Sequence, residues 1–116
     1  MVIKQNEESI ERGDVYWVKL DPTIGTETKK TRPAVIISND SQNRVGQRYI
    51  VAPITSVIKT VYPFEVEVNI NKKSSKVMLD QIRTIDHKRL GAKLGKLSSE
   101  EMFQIEKVIK IVLHIA

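Results

Sequence analysis

Residues 64–70, FEVEVNI, alternate without a break: Phe64, Val66, Val68 and Ile70 fall on one side of an extended chain, and Glu65, Glu67 and Asn69 on the other. A period of two is what a half-buried antiparallel strand requires, because successive side chains point to opposite faces. Related stretches flank it. DVYWVKLD (14–21) alternates partially, AVIIS (34–38) is a continuous apolar run short enough for a buried strand, and YIVAPITS (49–56) reads as a third strand. KVMLDQIRTI (76–85) supplies one long bent strand or two short ones. Turn-forming residues separate them: Pro22 and Gly25 open a loop to Arg32, NDSQNRVGQR (39–48) has room for one helical turn, and NKKSS (71–75) reverses the chain. Pro33 lacks an N–H and so suits the first residue of its strand, holding Arg32 extended before it, while Pro53 argues for an edge or a bulge. Gly91 and Gly95 bracket one more short element.

The chain then changes period. In SSEEMFQIEKVIKIVLHIA (98–116), Ser98 and Glu101 have the spacing of a capping box, and Met102, Ile105, Ile109, Val112 and Ala116 share one helical face. From Val108 onward only Lys110 and His114 are not apolar, which calls for a deeply sunk helix end or a subunit contact. Several short strands followed by one terminal helix predict an α+β, mainly β class: a compact antiparallel barrel or strongly twisted sheet with a C-terminal helix. At 116 residues this is one domain with a real core of its own.

Composition narrows the chemistry. The chain has no cysteine, so it can form neither a disulfide framework nor a thiolate metal site, as befits a reducing cytoplasm. No stretch approaches the roughly 20 apolar residues needed to span a bilayer, and Glu7, Glu8 and Glu11 make the start unlike a signal peptide. The net charge of +5 is concentrated: between residues 28 and 63, Lys29, Lys30, Arg32, Arg44, Arg48 and Lys59 face Asp40 alone. Such a cluster is either a solvated basic surface or a focused field for a polyanion, with nucleic acid the default candidate. His87 and His114 are too far apart in sequence to suggest a metal pair, no glycine-rich phosphate loop is present, and no serine elbow occurs. Arg32 starts one core strand and Thr55 ends the next, so antiparallel pairing would bring them to a shared rim. A guanidinium there can grip a phosphate with two parallel hydrogen bonds. Equally, Arg32 could pair with Glu27 or Asp80 as plain structure.

RGDVYWVKLDPTIGTE, RPAVIISND, NR, VAPITS, YPFEV and DQIRTID, in that order, resemble the MazF/PemK family of toxin endoribonucleases from Arg12 to the end of the helix. The resemblance implies a homodimer of SH3-like barrels that cuts single-stranded RNA at short sequences, needs no metal or other cofactor, works in the cytoplasm and is inhibited by a cognate antitoxin. It divides the chain into a flexible or short helical arm (1–11) and a toxin domain (12–116). By position it assigns Arg32 and Thr55 to the catalytic centre, with Glu27 and Asp80 in support. It assigns Lys29, Lys30, Asn43, Arg44 and Gln81 to RNA binding. Lys30 stands where members often carry a glycine. Relatives that poison a protein such as DNA gyrase keep the barrel but lack the RP…PIT pair, and that pair is present here; a third reading is a homologue that binds RNA or antitoxin without cutting.

Overall fold

The computed structural model describes residues 9–20 and 31–116. Expectations placed on the arm through residue 8, and on the loop that carries Glu27, Lys29 and Lys30, lie outside those residues.

Among the described residues seven strands form one curled antiparallel sheet, a half-barrel closed by a C-terminal helix. In chain order they are β1 (Asp14–Lys19), β2 (Thr31–Ile36), β3 (Arg48–Thr55), β4 (Glu65–Ile70), β5 (Lys73–Met78), β6 (Arg83–Asp86) and β7 (Leu90–Lys96). A six-residue helix, α1 (Asp40–Val45), joins β2 to β3, and α2 (Ser99–Val112) ends the fold. The strands run β4-β5-β3-β2-β1-β7, and β6 joins β3 beside β5. β3 is long enough to serve two partners on one edge: β6 pairs with Arg48 through Val51, and β5 with Ile54 and Thr55. Pro53 falls in the gap between them, which is how a residue without a donor N–H sits in a central strand. Pro33, expected to begin β2, is its third residue and faces Trp17 of β1.

The central strands are buried on both faces, and this accounts for the unbroken apolar run in β2. One core gathers Val15, Val35, Ala52, Ile54, Val66 and Val68 beneath Met102 and Ile105 of α2. The other, across the sheet, gathers Tyr16, Val18, Ala34, Ile36, Tyr49 and Ile85. The helix starts where the sequence places it: the Ser98 side chain accepts from the Glu101 N–H at 3.0 Å, and Glu101 returns a bond to the Ser98 N–H at 2.8 Å. Its last turn is not sunk. Ile111, Leu113 and Ile115 are each more than half exposed, and Ala116 lies exposed beyond the helix instead of on its buried face.

Of the two readings of KVMLDQIRTI the two short strands are present, β5 and β6 around a 3₁₀ turn (Leu79–Gln81). Two further expectations change. The reversal before β5, expected over NKKSS, needs only Asn71 and Lys72, both at positive φ. Such a pair makes the tight hairpin turn whose twist matches the strands, and Asn71 is further fixed by donating to the Leu94 carbonyl at 3.1 Å. Glu65, assigned by alternation to solvent, is buried, 2.9 Å from the equally buried Lys76 ammonium.

Candidate active site

Strand register decides whether Arg32 and Thr55 meet. Ala34 faces Pro53, Val35 faces Ala52 and Ile36 faces Val51. Continued two residues toward the start of β2, that register sets Arg32 opposite Thr55. Arg32 faces Val18 of β1, and Thr55 faces Lys76 of β5; the β2–β3 register, continued past its last pair, Ala34–Pro53, would join them in one row of Val18, Arg32, Thr55 and Lys76. Directly opposed residues share a face with Cβ atoms about 4.5–5.5 Å apart. By alternation from the Ala34–Pro53 pair, the guanidinium and the hydroxyl leave the same side of the sheet.

Both groups are positioned with bonding capacity left over. Thr55 Oγ1 accepts from the Val57 N–H at 3.2 Å, which fixes the rotamer and leaves the hydroxyl proton free to donate. Among the described residues Arg32 forms no ion pair, and its Nε is buried without an acceptor. An orphaned buried N–H costs about 1–3 kcal/mol. A cleft of about 330 Å³ touches Arg32, but its lining of Trp17, Pro33, Ile54, Ser56 and Lys73 alternates with that row and opens on the other face of the sheet, without Thr55.

The other assigned residues divide. Asp80 and Gln81 sit in the 3₁₀ turn beyond β5; Asp80 is exposed, and the Gln81 amide reaches Met78 Sδ at 3.7 Å. Asp80 is four residues beyond Lys76, the partner of Thr55, a chain path of roughly 10 Å. Asn43 and Arg44 belong to α1, at the opposite end of β2 and β3, more than about 13 Å from the row. Arg44 is exposed there. Asn43 is not available to a ligand as expected: it is buried, donates to the Ser38 carbonyl at 3.0 Å and to Asp40 at 3.1 Å, and accepts from the Ser38 hydroxyl at 2.6 Å. It locks the α1 turn. The histidines stay apart from the row; His87 Nδ1 lies 3.3 Å from the Tyr49 hydroxyl at the far end of β3. Among the described residues, no three His, Asp or Glu side chains gather as metal ligands, and no helix is long and apolar enough to cross a membrane.

Sequence reasoning missed Arg12, which ties the start of β1 to both helices. Its N–H donates to Asp40 at 2.8 Å, its Nε to the Ile37 carbonyl at 3.1 Å, and its Nη1 meets Glu106 at 2.8 Å. The bond from the Arg12 N–H, and then that from Asn43, holds the Asp40 carboxyl below its ordinary pKa. Nothing in the local pattern around Arg12 signals partners so distant in sequence.

The described residues form a mainly β half-barrel with one C-terminal helix, and Arg32 and Thr55 stand at neighbouring ends of β2 and β3. The chain belongs to the PemK-like, MazF-like toxins of type II toxin–antitoxin systems, whose family model matches residues 11–113. Among solved structures it is similar to MazF from Deinococcus radiodurans, at 25% identity and a TM-score of 0.81 over 93% of this chain and 99% of that one. It is also similar to a mycobacterial endoribonuclease in complex with its cognate antitoxin, at 24% identity, TM-score 0.77, with 91% and 96% covered. Mycobacterium tuberculosis toxin MazF-mt6 shares the fold at 24% identity and a TM-score of 0.74, with 89% and 98% covered.

Proposed function

We propose that this toxin is an endoribonuclease that cuts single-stranded RNA at the Arg32–Thr55 pair, using the RNA's own 2′-hydroxyl as nucleophile. What supports the reading is the β2–β3 register, which continued past Ala34–Pro53 sets Arg32, without an ion pair among the described residues, opposite the Thr55 hydroxyl. RNA brings its nucleophile with it, so the protein has three tasks: to help the 2′-oxygen lose its proton, to hold it in line with phosphorus, and to stabilise the charge that builds on the phosphorane. Arg32 performs the last, since a preorganised cation aimed at developing charge is usually the largest catalytic term. Thr55 donates to a phosphoryl oxygen or orients the 2′-hydroxyl. The 2′-oxygen bonds to phosphorus as the 5′-oxygen leaves and takes a proton, giving a 2′,3′-cyclic phosphate and a free 5′-hydroxyl. Glu27 is the carboxylate we assign to the 2′-proton, because Asp80 sits in the 3₁₀ turn beyond β5; Asp80 and Gln81 would border the path of the strand beyond the cut.

The reading extends to partners. Lys29 and Lys30 add cations to the loop preceding Arg32, and Arg44 reaches only a distant part of the RNA. The exposed apolar end of α2, with Ile111, Leu113 and Ile115, suits burial against a second copy in a homodimer. A cognate antitoxin would neutralise the protein, as one accompanies the mycobacterial relative. Residues 12–116 form the toxin domain, the first 11 an arm, and the site of action is the cytoplasm. Purified protein incubated with long single-stranded RNA and EDTA should yield discrete fragments that end at a short common sequence. Intact RNA, or fragments only when a divalent metal is supplied, would overturn the reading.

A further inference from the structure

We propose that Tyr62 stacks on the nucleobase adjoining the scissile phosphate and so helps determine where RNA is cut; this rests on the RNA-cleavage reading above. The chain between β3 and β4 leaves directly after Thr55 and returns at Glu65. Lys76, the residue facing Thr55, reaches beneath this segment: its ammonium lies 2.9 Å from the Glu65 carboxylate, 2.6 Å from the Thr60 carbonyl and 5.6 Å from the centroid of the Tyr62 ring. The Tyr62 backbone is clamped as well. Its N–H donates to Glu65 Oε1 at 3.0 Å, and its carbonyl accepts from the Glu65 N–H at 2.9 Å. The ring lies parallel to Phe64 within 7°, with centroids 5.3 Å apart in an offset stack.

Tyr62 is nevertheless 49% exposed. A rigid, half-exposed aromatic is thus held one cross-strand neighbour away from Thr55, within the span of a nucleotide or two of the bond to be cut. Exposed Lys59 and Val61 in the same segment add a cation and apolar surface. Aromatic rings interleaved with cations are how proteins hold unpaired bases, since every base offers a π-face and a fixed ring loses little entropy on stacking. The plainer role for Tyr62 is to cover the Glu65–Lys76 pair. A leucine would cover it as well, and this separates the two roles.

The test uses an RNA oligonucleotide containing the wild-type cut site, made 2′-deoxy at the scissile nucleotide so that it binds uncut, and versions with one abasic position on either side. Tyr62→Ala should weaken binding of the intact oligonucleotide about tenfold, within the roughly 5- to 150-fold range of one base–aromatic stack. Tyr62→Leu should weaken it similarly, and Tyr62→Phe should retain it, with melting temperatures held alongside as the folding control. One abasic position beside the scissile bond should weaken the wild type by the same factor and leave Tyr62→Ala no weaker. Full affinity in Tyr62→Leu, or abasic penalties identical in wild type and Tyr62→Ala at every position, would overturn the stacking role. A wild type that neither binds nor cuts RNA would instead overturn the cleavage reading, and the stacking role with it.

Discussion

Where β2 runs into α1, Ser38, Asp40 and Asn43 bond to one another, and Arg12 links that cluster to Glu106 of α2. At the other end of the same two strands, Arg32 has an orphaned Nε and Thr55 keeps a free hydroxyl proton. One pair of strands therefore ends once in a closed polar network and once in groups left for something else. Satisfied buried networks fix a unique structure, whereas unsatisfied ones detract from stability and persist where they serve another purpose. On the proposed function the first end serves folding and the second serves the reaction, although both are polar and both contain an arginine.

Substitutions at the two ends should separate those roles. Arg32→Ala should reduce RNA cleavage by roughly 10²–10³-fold, about 3–4 kcal/mol of transition-state stabilisation. Because the side chain removed carries an orphaned N–H, its melting temperature should equal or exceed that of the wild type. A matching fall in thermal stability would place Arg32 in the structural end and break the contrast. Arg32→Lys, which keeps the charge but loses the planar fork, should restore little of the rate in the same cleavage assay.

Asn43→Ala should do the reverse. It leaves the buried Ser38 carbonyl and hydroxyl short of partners, and about 2–3 kcal/mol of stability should be lost in a urea titration. Cleavage per folded molecule should be unchanged. Asp40→Asn should have the smallest effect. The Asp40 carboxyl is held below its ordinary pKa first by the Arg12 N–H and next by Asn43, so its contribution is complete above the unfolded value near 4 and is lost as pH falls through the folded one. The group is exposed, which limits the difference to a few tenths of a kcal/mol. Melting temperatures of wild type and Asp40→Asn should differ at neutral pH and converge below about pH 4. A gap that widens in acid would contradict the assigned bonds.

What was legible in the sequence was whatever has a local period or a local bond. The alternation of 64–70, the Ser98–Glu101 box and the single turn of helix in 39–48 all depend on residues close in the chain, and all three are present. The rim pair could be inferred as far as antiparallel pairing could be assumed, because Arg32 begins one strand and Thr55 ends the next. What failed depends on distant partners. Alternation exposes Glu65, but Lys76 from the adjacent strand buries it; a surface motif exposes Asn43, but Ser38 draws it inward. The apolar tail of α2 read equally as sunk or as a contact, and only the position of the sheet leaves Ile111 and Ile115 in the open.

The central claim is that the guanidinium and hydroxyl of one strand pair act on a phosphodiester whose neighbouring 2′-hydroxyl attacks it. Its most direct test compares an RNA oligonucleotide containing the cut site with its twin bearing a single 2′-deoxy substitution at the scissile nucleotide, analysing the product ends by mass. The account predicts that the RNA is cut to a 2′,3′-cyclic phosphate and a 5′-hydroxyl while the twin stays whole. Equal cleavage of both oligonucleotides, or 5′-phosphate ends from either, would contradict it.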